Sequence, residues 1–224
     1  MNRCYPAYTM LGIVYLLLLA FGSELAAFSF KMMSRLAYLV YLAPALRKQA
    51  DRGYFTKRYG LEEGFGRFRT WAVFILNNDT VSFVLLCMLT RDTLPAEIPH
   101  WVTLIAGIPL VMIGVAVKVW AAMALGAKRY YWYDFFDPKG VNYTNSGPYR
   151  YLKNPLYTIG YAYMYGFSLV FSSSLGLLAA IFDHIVIWIL YLWVERPHSH
   201  RMRQEGADGE GVPNQASHQV YREA

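Results

Sequence analysis

Charge is scarce in this chain. Only 16% of its 224 residues are Asp, Glu, Lys or Arg, against about 25% in an ordinary soluble domain, which excludes a water-facing surface over most of its length. Cysteine is scarcer still: Cys4 precedes the first apolar run and Cys87 lies inside another, so neither a disulfide framework nor a metal site is expected. The triplet Gly64-Phe65-Gly66 stands in a basic loop without the strand–turn–helix setting of a dinucleotide-binding turn, and it is discounted. No internal repeat is present. The N-terminal apolar stretch has no evident small-residue cleavage site. It also outruns the roughly 7–15 residues of a signal-peptide core, so it is expected to be a retained span.

What the chain has in quantity is apolar length: 56% of its residues are hydrophobic. A bilayer core of about 30 Å takes about 20 residues of helix. The runs 7–30, 71–90 and 101–126 meet that length. The stretch 156–194 is too long for one crossing, and Ser172, Ser173, Ser174 and Gly176 provide a turn within it. It is expected to form a helical hairpin, 156–173 and 176–194. The fold expected is all-α, a multi-pass transmembrane helical bundle of about five spans. Three regions follow: 1–100 with N-terminal spans and a basic loop, 101–204 as a membrane core, and 205–224 as a polar, mobile tail. Within 32–46 the apolar stretch is short, and Lys31 and Arg35 share one helical face. This segment is expected to lie at the interface with both cations snorkelling. The alternative, a sixth span over 25–46, would put both charges in hydrocarbon.

The net charge of +6 is distributed in a way that points to lipid rather than nucleic acid. Basic residues crowd the loops 47–70 and 127–155 and the tail from Arg196, whereas 91–100 holds one and 172–175 none. Such alternation fits an up-and-down bundle whose basic loops face the cytoplasm. At depth, Asp79 and Lys118 each sit about 8 residues, hence about 12 Å, from the basic end of their spans. A pair between them is expected, because either charge alone is costly there.

The unusual residues cluster in three places. The segment Gly147-Pro148-Tyr149-Arg150-Tyr151-Leu152-Lys153-Asn154-Pro155-Leu156-Tyr157, running into Gly160, carries a Gly-Pro turn and then Asn154 as an N-cap before Pro155 at a first helical position. Such a helix start offers free N–H groups to a carboxylate or phosphate, or it is simply a capped span with belt tyrosines. The end of the last span, Trp193-Val194-Glu195-Arg196-Pro197-His198, places an acid where the helix dipole is already negative. Either Arg196 or a ligand cation answers it. His184, Trp188, Tyr191 and Glu195 form a stripe on one helical face, with His184 and Asp183 expected near the outer, solvated end of the span. Third, Tyr130-Tyr131-Trp132-Tyr133-Asp134-Phe135-Phe136-Asp137 is either an interfacial belt or an aromatic and acidic surface suited to a sulfonium or methylated ammonium.

These residues resemble the integral-membrane methyltransferases, the group of isoprenylcysteine carboxyl methyltransferases and phosphatidylethanolamine N-methyltransferases. They look closest to the latter, of the fungal type. The resemblance rests on Tyr131 to Phe136, on Gly147 to Gly160, on His184, and on Glu195 to His198, and it covers roughly 110–204. It implies a cytoplasmic pocket for S-adenosylmethionine, held by Tyr149, Lys153, Asn154, Pro155, Tyr157, Gly160, Glu195 and Arg196. Lys153-Asn154 stands where Arg-His is commoner, so that histidine's role does not transfer. The implied reaction is methylation of a membrane-lipid amine, phosphatidylethanolamine or its methylated forms. Asp134, His198 and His184 are the candidate proton-handling residues, because an amine of ordinary pKa about 10.4 must lose a proton before it attacks. Methylation of a prenylcysteine carboxylate or a small thiol, and reduction of a sterol with NADPH, remain as alternatives. The implied location is a membrane, the endoplasmic reticulum or a bacterial inner membrane, with the bilayer and its lipids as partners and no nucleic acid.

Overall fold

Glycine and serine at 22–23 cut the first apolar stretch in two. In the computed structural model, which describes residues 5–138 and 146–209, helix α1 (Tyr5–Phe21) stops there and α2 (Glu24–Ala37) starts afresh. The Ser23 side chain caps α2 by accepting from the Ala26 N–H at 3.2 Å. The single span expected over 7–30 is therefore two antiparallel helices. Cys4 and the tail beyond Gly209 lie outside the described residues.

The expected interfacial helix is also corrected. Helix α2 runs through a π-helical stretch, Tyr38–Leu42, into α3 (Ala43–Arg52). The result is one rod, Glu24–Arg52, long and apolar enough to cross a membrane. Lys31 and Arg35 do not snorkel; they are 0% and 2% exposed. Snorkelling requires a route to water, and here two acids take its place. Lys31 pairs with Asp79 and lies 2.7 Å from Asp183 Oδ2. Arg35 donates to Asp79 at 2.9 Å and, through its other terminal nitrogen, to the Asp183 carbonyl at 2.7 Å. Two positive and two negative groups thus cancel inside the bundle, which is how buried charge is tolerated. Asp183, expected near solvent, is wholly buried.

After the short α4 (Tyr54–Tyr59), α5 (Leu61–Leu89) carries Asp79, and α6 (His100–Arg129) returns. Gly126 takes a left-handed φ of 76° and ends the continuous part of α6, where the apolar run ends. The expected Asp79–Lys118 pair does not form. Asp79 is taken by Lys31 and Arg35, and Lys118 donates instead to the Tyr163 hydroxyl at 3.2 Å. Depth matching found two polar groups at one level, but α2 reaches Asp79 first.

The hairpin expected from 156–194 is unequal. Its second arm is α8 (Ser174–Leu190), a π-helical stretch Tyr191–Glu195, and α9 (Arg196–Gly209), forming a rod whose Ser174–Met202 part can cross a membrane. Its first arm is only α7 (Ala162–Val170), preceded by turns and the 3-10 segment Ile159–Tyr161. The helix start expected at Pro155 is displaced to Ala162. The Asn154 carbonyl gathers the Tyr157 and Thr158 N–H groups at 3.2 and 3.1 Å, and Thr158 then breaks the helical path with ψ of −103°.

Two glycines bring α7 and α6 together. A Cβ at Gly114 would lie 2.3 Å from the Tyr163 nitrogen, and one at Gly107 would lie 2.9 Å from the Gly166 carbonyl oxygen. Close backbone approach at small residues is the usual means of helix association where lipid removes the hydrophobic drive. At one end of the bundle, Thr93 and Leu94 N–H groups both donate to the Ser172 carbonyl. At the other, Lys128–Glu62 and Arg201–Asp51 join the basic segments at 2.9 and 2.8 Å. The architecture is all-α as expected, with four helical rods able to cross a membrane, and no strand occurs among the described residues.

Asp183→Asn leaves the cluster one positive charge in excess and is expected to destabilise the protein by about 3–5 kcal/mol. Lys31→Met combined with Asp183→Asn restores balance and should recover part of that loss, as measured by denaturation midpoints in detergent. Additive losses in the double variant would refute the coupling.

Candidate functional site

Beyond the charge cluster, the polar groups lead toward the basic end along the segment that fails to be helical. Arg35 donates to the Tyr161 hydroxyl at 2.5 Å. The Tyr161 ring stacks on the His184 imidazole with centroids 4.7 Å apart. His184 Nε2 meets the Tyr157 carbonyl at 2.8 Å, and Nδ1 meets the Tyr165 hydroxyl at 2.9 Å. A carbonyl only accepts, so Nε2 bears the proton and Nδ1 accepts from Tyr165. With both nitrogens engaged inside the protein, His184 holds Tyr157 in place.

Tyr157 in turn donates its phenol hydrogen to Glu195 Oε1 at 2.7 Å, and the Trp132 indole N–H donates to the same oxygen at 2.8 Å. The acid is set by the backbone around it. Pro197 has no N–H to offer the carbonyl four residues back. The chain widens to a π-helix over Tyr191–Glu195, closed by the Arg196 N–H on the Tyr191 carbonyl. Such widenings are frequent at functional positions. The macrodipole reasoning for Glu195 is corrected, because the helix continues to Gly209 and the acid is not at its end. Nor do the bonds on Oε1 come from Arg196, which is exposed; they come from two neutral aromatic donors.

Trp132 is held under strain. Its φ of 59° and ψ of 38° lie in the left-handed region, costly for a bulky residue and usually kept only where the surroundings impose it. That backbone turns its buried indole toward Glu195. On the same turn, the Asp134 carbonyl accepts from His198 Nε2 at 3.2 Å, and the His198 ring stacks on Phe135 at 3.9 Å. Asp134 and His198 are therefore brought together, behind Trp132. Burial pushes the Tyr149 phenol well up, and Glu195 adds to this against nearby Arg129, so Tyr149 stays a neutral donor. Lys153 is exposed. Gly160 allows close approach, but to the chain itself: a Cβ there would lie 2.7 Å from the Pro155 carbonyl oxygen and 3.7 Å from the Lys118 Cα.

Trp132 and Tyr157 also wall a cavity of about 330 Å³, within the size range of small-molecule sites. Tyr38, Tyr130, Tyr161 and Tyr163 line it together with Arg35, Asp79 and Lys118. The irregular backbone at 156–161 forms part of this wall. Non-helical chain at membrane depth is tolerated where it is buried in protein or lines a cavity, so the missing helical turns mark the site. Of the segment from Asn154-Pro155 onward, Tyr157 meets Glu195 and lines the cavity, whereas Tyr149, Lys153, Asn154, Pro155, Gly160, Glu195 and Arg196 are not among its lining residues. In the sequence Trp132 stands out only as one of an aromatic run, and nothing local ties Tyr161, Tyr163 or Lys118 to a site; polar or aromatic positions facing 184 and 118 are the available signal.

Comparison with known proteins bears out the resemblance. Residues 102–204 match the phospholipid methyltransferase family. A phosphatidylethanolamine N-methyltransferase of Saccharomyces cerevisiae strain S288c is 29% identical over 147 residues, covering 66% of this chain and 17% of the yeast protein. Phosphatidylethanolamine N-methyltransferase 1 of Vanderwaltozyma polyspora is 29% identical over 153 residues, 68% and 18% of the two chains. The phosphatidylethanolamine N-methyltransferase of Candida tropicalis is 29% identical over 169 residues, 68% and 19%. The chain thus spans less than a fifth of the length of these relatives. No solved structure matches.

Removing the phenol at Tyr157→Phe leaves Glu195 with one fewer donor and is expected to cost about 1–3 kcal/mol of stability. Denaturation followed by tryptophan emission checks this. An unchanged midpoint and an unchanged Trp132 environment would show that the bond carries nothing.

Proposed function

We propose that this chain, whose residues 102–204 match the phospholipid methyltransferases, moves a methyl group from S-adenosylmethionine to the head-group nitrogen of a membrane phospholipid. The acceptor is phosphatidylethanolamine or one of its methylated forms, and the site opens at the basic, cytoplasmic end of the bundle. One observation carries the reading. An acid fixed by Trp132 and Tyr157 sits beside an aromatic cavity that reaches into the membrane-crossing part of the fold.

The residues present suit the cofactor. Glu195 is a carboxylate whose bonds from Trp132 and Tyr157 both fall on Oε1, which leaves Oε2 for an ammonium or ribose hydroxyls. The surrounding tyrosine and tryptophan faces attract a cation without trapping it in a salt bridge. Glu195 is the anchor, with Tyr149 and Tyr157 beside it. S-adenosylmethionine supplies a methyl carbon made electrophilic by its sulfonium.

The chain's own residues do the rest. Tyr130, Trp132, Tyr157 and Tyr161 exclude water and hold the acceptor nitrogen where its lone pair faces one direction, which is worth much of the rate in a displacement between two bound groups. An ammonium has no lone pair, so its proton must leave first. The cavity's low polarity favours the neutral amine. Asp134 and His198, joined behind Trp132, are the acceptor pair proposed for that proton. As methyl groups accumulate, the nitrogen becomes a permanent cation, and the aromatic wall suits the product as well as the substrate.

Membranes containing the chain, incubated with labelled S-adenosylmethionine, are expected to yield phospholipids heavier by one, two or three methyl increments. Glu195→Gln should lower that transfer by about a hundredfold or more and abolish cofactor binding in calorimetry. Full transfer by this variant would remove Glu195 from the site, and label found only in protein carboxyl groups would assign the chain to a different acceptor.

A further inference from the structure

Three basic side chains sit in the cavity region at membrane depth, and they are not in the same condition. Lys31 and Arg35 share Asp79 and Asp183, and the four charges cancel. Lys118 has no such answer. Among the described residues no carboxylate lies within 4 Å of its Nζ. It donates to the Tyr163 hydroxyl at 3.2 Å, and the Tyr163 and Tyr161 ring centroids lie 4.5 and 6.0 Å away. A cation held by neutral groups inside a membrane bundle is costly and calls for an anion brought from elsewhere.

The cavity wall reaches the lipid-facing side of the bundle. On one side it is made by Asn77 and Thr80 of α5, and on the other by Val115 and Val119 of α6. All four of these residues are exposed. The cavity therefore also has a side opening between two membrane-crossing helices, midway along both, toward lipid tails. Asn77 and Thr80 are polar on a surface that otherwise faces hydrocarbon, with Val81, Ile108 and Met112 exposed nearby. From Lys118 the same cavity runs to Tyr130, Trp132 and Tyr157 beside Glu195.

We propose that Lys118 binds the phosphodiester of the substrate glycerophospholipid, whose acyl chains leave through the opening between α5 and α6. Its amine then extends along the aromatic wall toward Trp132. This rests on the proposed methyl transfer and assigns how its lipid is held. The ammonium and the phosphate make a charge-assisted hydrogen bond, and lipids without a phosphate, such as diacylglycerol, lose it. The cation also selects against burying a bare lipid amine at that depth, which sets the head group's direction.

Binding without turnover tests this. Purified protein in nanodiscs is titrated with fluorescent phosphatidylethanolamine and with diacylglycerol bearing the same tails. The wild type is expected to prefer the phospholipid by about tenfold or more. Lys118→Met should abolish that preference, Lys118→Arg should keep most of it, and S-adenosylmethionine affinity in calorimetry should be unchanged in both. Thr80→Trp, at the opening and away from the cation, should weaken both lipids alike and serves if Lys118→Met does not fold. Unaltered preference in Lys118→Met overturns the proposal, as does a loss that falls on cofactor affinity, since the anion is then the cofactor's carboxylate. Displacement of the lipid by inorganic phosphate alone would overturn the lipid assignment. A chain that methylates lipid with Lys118→Met unimpaired keeps the activity and loses this inference. One that binds phospholipid through Lys118 but methylates nothing does the reverse.

Discussion

Two cations and two carboxylates share the interior of this bundle, and the site is arranged around them. Lys31 and Arg35 come from α2, Asp79 from α5 and Asp183 from α8, so three rods that touch lipid elsewhere are joined by charge where water is absent. In an apolar solvent, each member is costly without the others, which gives the helices one register and not several. Arg35 then passes that register on. Its bonds to Tyr161 and to the Asp183 carbonyl set the irregular segment before α7, and through the His184 stack they set Tyr157 and Glu195. The part of the chain that matches the methyltransferase family, 102–204, is thus completed by α2 and α5, which lie outside it.

The same polar order explains why a helix is missing where one is expected. A full helix from Pro155 would satisfy its own backbone and leave no wall for a cavity. Instead the chain turns through 155–161, gives the Tyr157 carbonyl to His184, and starts α7 only at Ala162. Gly107 and Gly114 compensate by letting the short α7 lie directly on α6. Strain at Trp132 and the π-helical widening before Pro197 belong to the same arrangement. Both depart from regular geometry: one turns the Trp132 indole onto Oε1 of Glu195, and the other carries Glu195 itself.

Much of this was legible in the sequence. The spans at 71–90 and 101–126 fall on α5 and on α6 up to Gly126, because apolar length and a glycine stop are local signals. The meeting of Tyr157 with Glu195 was legible through motif resemblance. What was not legible depends on distant partners. Whether Lys31 and Arg35 snorkel or cross depends on Asp79 and Asp183, which lie 48 and 148 residues away from one or the other. Depth alone matched Asp79 with Lys118, since it does not record the rotation of a helix about its axis. The apolar run stops at 194, which reads as a helix end at Glu195, yet the helix continues past Pro197 by widening the turn before it. Among the buried charges Lys31 and Arg35 balance Asp79 and Asp183, whereas Lys118 pairs with no acid among the described residues.

Photo-crosslinking with S-adenosylmethionine labelled in its methyl group tests the central claim most directly, because it reports which residues surround the reactive end of the proposed cofactor whatever the acceptor. The account predicts label on peptides containing Trp132, Tyr157 or Glu195, and its loss when excess unlabelled cofactor is present. Label confined to the basic segments around 47–70, or label that excess cofactor does not displace, would contradict it.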